Sequence, residues 1–279
     1  MNTTASPLTA SKRGLAIVNI IAFAIMITTN ALSIILPLNG KSQMQLSAQY
    51  PNLFTPAGFT FSVWGIIYLF YLGFTIYQAT VLFKMQHPGK EKIALASPYF
   101  IGICLCNAGW LFAWHYQHVM LSVSIMFVYL ILLISIHQVL QLALPWKSVA
   151  QKLWLDIPFS LNLGWICVAT IANFTAWCVQ NHWGYGFFSE ATWAVIMIGI
   201  GSLLALLYVL RGNNIFIGFI VIWALFGIES KRRMTGDYGS ESVITATLIG
   251  MGLIFAAIII QLALRRRKEL PEPQLFSRP

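Results

Sequence analysis

Long apolar runs separated by short polar breaks organise this chain. Eight runs are long enough to consider as helices crossing a bilayer: 15–36, 60–83, 97–115, 119–143, 158–178, 191–210, 214–230 and 243–264. Crossing the hydrocarbon takes about 20 mostly apolar residues in a helix, and the seventh run is the shortest against that measure. The first run exceeds the apolar core of a signal peptide and is not followed by a convincing small-residue cleavage site, so it counts as a span. A Gly- and aromatic-bearing connection, "VQNHWGYGFFSE" at 179–190, divides the pattern. The expectation is an all-α, polytopic membrane helix bundle, with a five-helix unit over 12–185 and a three-helix extension over 186–268. Short tails at 1–11 and 269–279, with Pro and Ser, read as disordered ends.

Composition agrees. The 279 residues are 58% hydrophobic and 9% charged, with a mean hydropathy of +0.74, whereas a soluble domain carries roughly 25% charged residues. The net charge of +9 therefore reads as basic residues bordering spans and facing anionic lipid, not as a nucleic-acid surface. In an eight-span arrangement only Lys41, Lys231, Arg232 and Arg233 of the 17 basic residues fall opposite the N-terminal side. The positive-inside rule then puts both termini in the cytoplasm, with a bacterial inner membrane as the expected location. "ESKRR" (229–233) sits against the rule. Removing the seventh span would instead send "RRRK" (265–268) outward, which is worse.

No span carries Asp, Glu, Lys or Arg near its middle, which argues against an ion-coupled pump or carrier. No phosphate loop, Ser-His-Asp set or other catalytic group can be placed, and no cofactor or metal is expected. Cys104, Cys106, Cys167 and Cys178 lie in apolar stretches without metal-like spacing and read as small buried hydrophobes. His115, His118 and His182 fall on one side, where three imidazoles could bind a metal or haem iron; they read better as interfacial histidines in short loops. His137 is expected to face the bundle interior.

The polar groups inside the spans are amides. "NAGW" (107–110) and "NLGW" (162–165) repeat Asn-x-Gly-Trp on two spans that cross in the same direction. At i and i+3 each Asn and Trp share a face, and the Gly admits a neighbouring helix or a ligand. Amides and indoles offer hydrogen bonds beside stacking surface, which suits a flat, mostly apolar ligand. Helix-gluing Asn and interfacial Trp explain the same residues structurally.

A third stretch, "TPAGFTFSVWGIIY" (55–68), together with these spans resembles the TspO/MBR family, the tryptophan-rich sensory proteins that include the mitochondrial translocator protein. Pro56, Val63, Trp64 and Tyr68 match its entry into the second helix. Asn107 and Trp110 match Asn-x-x-Trp on its third, and Trp165, Asn173 and Trp177 keep the spacing of its fifth. The likeness covers about residues 15–180. Phe59 and Phe61 stand where the family usually has a Trp and a second Pro, and the family's five helices leave three unexplained. The resemblance implies a five-helix bundle around a cavity for porphyrins, sterols or similar ligands, with Trp64, Tyr68, Asn107, Trp110, Trp165 and Asn173 as ligand-binding residues.

The loop at 37–59 exceeds the roughly 2–8 residues usual between packed helices. Held down by Tyr50, Phe54 and Phe59, and stiffened by Pro51 and Pro56, it would form a lid, although interfacial anchoring also explains its rings. The expected function is a membrane receptor or sensor for a porphyrin or other apolar small molecule. A permease, or an enzyme degrading porphyrin in the same cavity, is the alternative. Membrane lipids are expected partners, nucleic acid is not, and a homodimer is an option.

Overall fold

Each expected apolar run becomes a helix in the computed structural model, which describes residues 7–36, 38–84, 90–142, 148–183 and 185–269. The helices are α1 (Pro7–Ile35), α2 (Gln43–Ala48), α3 (Val63–Phe83), α4 (Lys90–His115), α5 (Val119–Leu142), α6 (Val149–Gln151), α7 (Ile157–Gln180), α8 (Glu190–Leu210), α9 (Ile215–Thr235) and α10 (Ser240–Glu269). There is no strand among the described residues. Residues 1–6 and 270–279, Lys147 and Arg278 among the basic residues, and Pro37 at the start of the long loop lie outside those described.

Among the described residues, seven helices, one fewer than the eight runs expected, are long and apolar enough to cross a membrane, which makes the chain a multi-pass integral membrane protein. The remaining long helix, α9, is apolar from Ile215 to Ile228, and then continues through Glu229, Lys231, Arg232 and Arg233 to a left-handed Gly236. Local chemistry sets the ends. Ser189 accepts from the Thr192 amide to start α8, and Asn214 accepts from the Phe216 and Ile217 amides to start α9, as capping side chains do. Pro158 sits in the first turn of α7, where its missing N–H costs nothing. Pro98 lies inside α4, which begins at Lys90 rather than 97.

Packing runs from α3 to α1, α4, α5 and α7 in turn, and on from α7 to α9, which packs against α8 and α10. The hub is α7. Of its most apolar stretch 78% is buried, against 33–50% in the other six membrane-length helices. Gly164 explains part of this: a methyl there would meet the Ile217 carbonyl oxygen at 3.1 Å and its Cα at 3.2 Å. The close helix approach expected of "NLGW" is therefore made to α9. A π-helical turn, Lys152–Asp156, precedes α7 and seats Trp154 over Gly73 of α3. One buried apolar core extends from Ala16 to Ile258, through the five helices and the three that follow.

Candidate functional site

Polar groups enter this core in tiers of hydrogen-bonded side chains, with Asn19 Oδ1 and Asn162 Oδ1 left unpartnered among the described residues. Nearest the α2 end of the bundle, Tyr68 donates to Asn30 Oδ1 (2.7 Å), Asn30 Nδ2 donates to Asn107 Oδ1 (2.6 Å), and Asn107 Nδ2 donates to the Tyr68 hydroxyl (3.3 Å). Deeper, Asn162 Nδ2 donates to the hydroxyls of Tyr71 (2.6 Å) and Tyr129 (2.7 Å). Towards the other end, Asn19 Nδ2 donates to Gln78 (3.1 Å) and Ser97 (2.8 Å). Burial without partners would cost several kcal/mol per polar group, so these networks also fix the register between α1, α3, α4, α5 and α7.

Above the first tier the spacing turns aromatic. Trp110 and Trp114 share a face of α4 at i and i+4 and stack at 6.2 Å. Trp64 of α3 lies 6.2 Å from Trp110 and stands edge-on to Trp165 of α7 at 6.0 Å. Beyond Trp165, α7 presents Ala169, Ala172, Asn173 and Ala176 at helical spacing, and these small residues leave space in front of the indoles. The result is a narrow cavity of about 60 Å³, below the roughly 300–1,000 Å³ range of small-molecule pockets, so an occupant of that size would need the lid to open. No charged side chain lines it among the described residues.

Three donors in this cavity stand out. Trp110 Nε1 and Trp165 Nε1 are buried with no hydrogen-bond partner. Asn173 Oδ1 accepts from Ser122 Oγ at 3.0 Å, and its amide N–H₂ group makes no hydrogen bond of its own among the described residues. Unpaired buried donors are uncommon in folded proteins and call for an explanation.

The roof is the 38–57 segment. Ser42 and Gln45 form a capping box that starts α2. Asn52 Oδ1 accepts from the Phe54 and Thr55 amides (3.0 and 2.9 Å), folding the next turn. Gln43, Ser47, Asn52, Thr55 and Pro56 close the cavity from above. Tyr50 packs on Trp114 at 5.5 Å, and burial raises its phenol above the usual value, so it stays neutral. One flank is tied to α4 by Asn39 Nδ2 donating to the His115 carbonyl (3.0 Å). The other is tied to α9: the Ala57 amide donates to the Gly227 carbonyl (2.9 Å), and Trp223 Nε1 to the Thr60 carbonyl (3.0 Å).

Of the residues expected to bind ligand, the structure brings Trp64, Trp110, Trp165 and Asn173 to the cavity wall. Tyr68 and Asn107 lie in the hydrogen-bonded tier beneath, with Asn107 fully buried. Trp177, a family-motif position, stacks on Phe174 at 5.7 Å instead. Of the lid residues, Pro56 lines the cavity, and Tyr50 and Phe54 are buried in the common core. Phe59 points away, packing on Trp223 and Phe226 of α9 at 5.5 and 5.8 Å. His115 corrects an expectation: it is no interfacial loop residue but fully buried in the last turn of α4, Nδ1 bonded to the Leu111 carbonyl at 2.8 Å. No His, Cys, Asp or Glu group among the described residues could hold a metal. His137 faces Tyr208 of α8 inside the bundle. Sequence reasoning missed Trp114, which the i+4 spacing from Trp110 could have flagged. It also missed Asn30 and the part that α9, expected only as a span, plays at the lid, because both depend on contacts distant in sequence.

An integral membrane helix bundle with an enclosed, indole-lined cavity under a folded lid is the class these features define. The chain belongs to the TSPO-like protein family, whose profile matches residues 16–260. That range takes in α8 and α9 and most of α10 as well as the five helices before them. No curated protein and no solved structure matches the chain.

Proposed function

We propose that this protein is a membrane receptor that binds a flat, mostly apolar molecule of the porphyrin or sterol class in the tryptophan cavity. One observation carries the reading: two buried indole N–H groups without partners, on rings that line an uncharged cavity. A ligand with an apolar face and hydrogen-bond acceptors would supply what the protein leaves unpaired, while the rings stack on its surface. Receptor is favoured over permease because the polar tiers and the fully buried Tyr71, Phe74, Phe100 and Phe159 seal the bundle beneath the cavity. With α9 counted as an eighth crossing beside the seven helices of membrane length, the charge pattern supports a bacterial inner membrane with both termini cytoplasmic.

The test is quenching of tryptophan fluorescence by protoporphyrin in purified protein. Replacing Trp110 or Trp165 by Phe keeps a ring but removes its donor. A hydrogen bond worth about 0.5–1.5 kcal/mol predicts a roughly 2- to 12-fold weaker affinity for each variant. A folded Trp110→Phe, Trp165→Phe double variant that binds as tightly as the parent rules the cavity out.

A further inference from the structure

The edge of the lid separates the tryptophan cavity from a second groove. Ser47, Thr55, Pro56 and Phe61 line both, so one thin layer of side chains divides them. The outer groove holds about 300 Å³ and is mostly apolar, with one charged residue in its wall, Lys231 of α9. Of the three basic residues there, Arg232 pairs with Asp237 at 2.7 Å and Arg233 pairs with Glu229. Lys231 makes no ion pair among the described residues and is partly buried. Asp237 lies within electrostatic reach but makes its ion pair with Arg232, so a partly desolvated ammonium with no carboxylate in contact, beside a cavity with spare neutral donors, is placed for a ligand that brings its own negative charge.

Resting on the cavity reading above, we infer that Lys231 recognises an acidic group at the mouth of the tryptophan cavity. The ligand class is therefore an amphipathic acid: a flat apolar body among the indoles, and a carboxylate or similar anion held by Lys231 across the Thr55–Pro56 edge. Opening of that edge, which a ligand spanning both spaces requires, involves the lid alone and leaves the tiers below undisturbed.

The experiment compares protoporphyrin, a diacid, with its dimethyl ester, both titrated against the full chain in phosphatidylcholine nanodiscs by tryptophan quenching. The parent should bind both, the diacid more tightly. Lys231→Gln should weaken the diacid about 10-fold and leave the ester unchanged, which also shows that the variant is folded. Lys231→Arg should retain most of the diacid affinity. Equal affinities of parent and Lys231→Gln for the diacid would overturn the inference, as would an equal loss for diacid and ester. Adding phosphatidylglycerol separates the sources of the anion: if it abolishes the difference between parent and variant, Lys231 serves lipid headgroups and the inference fails. If the parent binds neither porphyrin, the cavity reading itself fails and the inference goes with it.

Discussion

Replacing Asn107 by Leu separates a residue that touches the ligand from one that positions those that do. Asn107 has no exposed surface, and its amide closes the triangle with Asn30 and Tyr68. Leucine removes both of these bonds at similar volume. Asn30 would remain satisfied, because its Nδ2 also donates to the Met26 carbonyl (2.8 Å) and its Oδ1 still accepts from Tyr68 (2.7 Å). At about 0.6 kcal/mol for an average interhelical bond in a membrane protein, and about 1.7 at most, the loss should be roughly 1–2 kcal/mol. That corresponds to about 2–8 °C in Tm at the scaling for large domains. Binding should suffer less, through Tyr68, which stacks on Trp64 at 5.4 Å, and through Trp110 one turn along α4. We expect a porphyrin affinity reduced no more than about 3-fold, or roughly 0.6 kcal/mol. The two readouts are thermal unfolding in detergent, followed by circular dichroism, and quenching titrations well below Tm. An unchanged Tm with binding abolished would refute the reasoning, since Asn107 would then have to meet the ligand directly.

Two further outcomes follow from the lid and the charge pattern. A side chain at Gly227 would overlap Thr60, so Gly227→Val should detach the lid from α9 and accelerate both association and dissociation of porphyrin in stopped flow; unchanged rates would show that α9 does not hold the lid. With the lid outside, a cysteine replacing the exposed Met44 should react with an impermeant maleimide on intact cells, and one replacing Lys90 should react only after lysis; the reverse pattern would invert the topology.

The helices were legible because their signal is local. An apolar run of about 20 residues has few alternatives in a bilayer, where every backbone group must be satisfied within the helix or a closed barrel. Ends were harder to place. Residues 90–96 look like a loop before a span starting at 97, yet α4 begins at Lys90, and "ESKRR" looks like the end of α9, yet the helix continues to Thr235 and a glycine cap. In the site, tryptophans at helical spacing were readable, because a face of one helix is a sequence property. Whether Asn107 meets a ligand or a neighbouring helix was not. That depends on Asn30, 77 positions away, and an apolar span carrying one amide gives no sign of which amide will answer it.

The lid shows why five helices do not complete this site. It leads into the Ala57 amide and the Thr60 carbonyl, two backbone groups that need partners where the chain enters the apolar region. Both partners come from α9, at Gly227 and Trp223, the latter 163 residues further along the chain. Phe59 closes the same contact from the lid side, and only the missing side chain at Gly227 leaves room for Thr60. The helix that anchors the lid also brings Lys231 to its edge, so one element fixes the roof and supplies a positive charge beside it. On this geometry the helices after residue 185 act on the cavity through the lid, and changes in α9 should alter access and ligand charge preference before they alter the tryptophan wall.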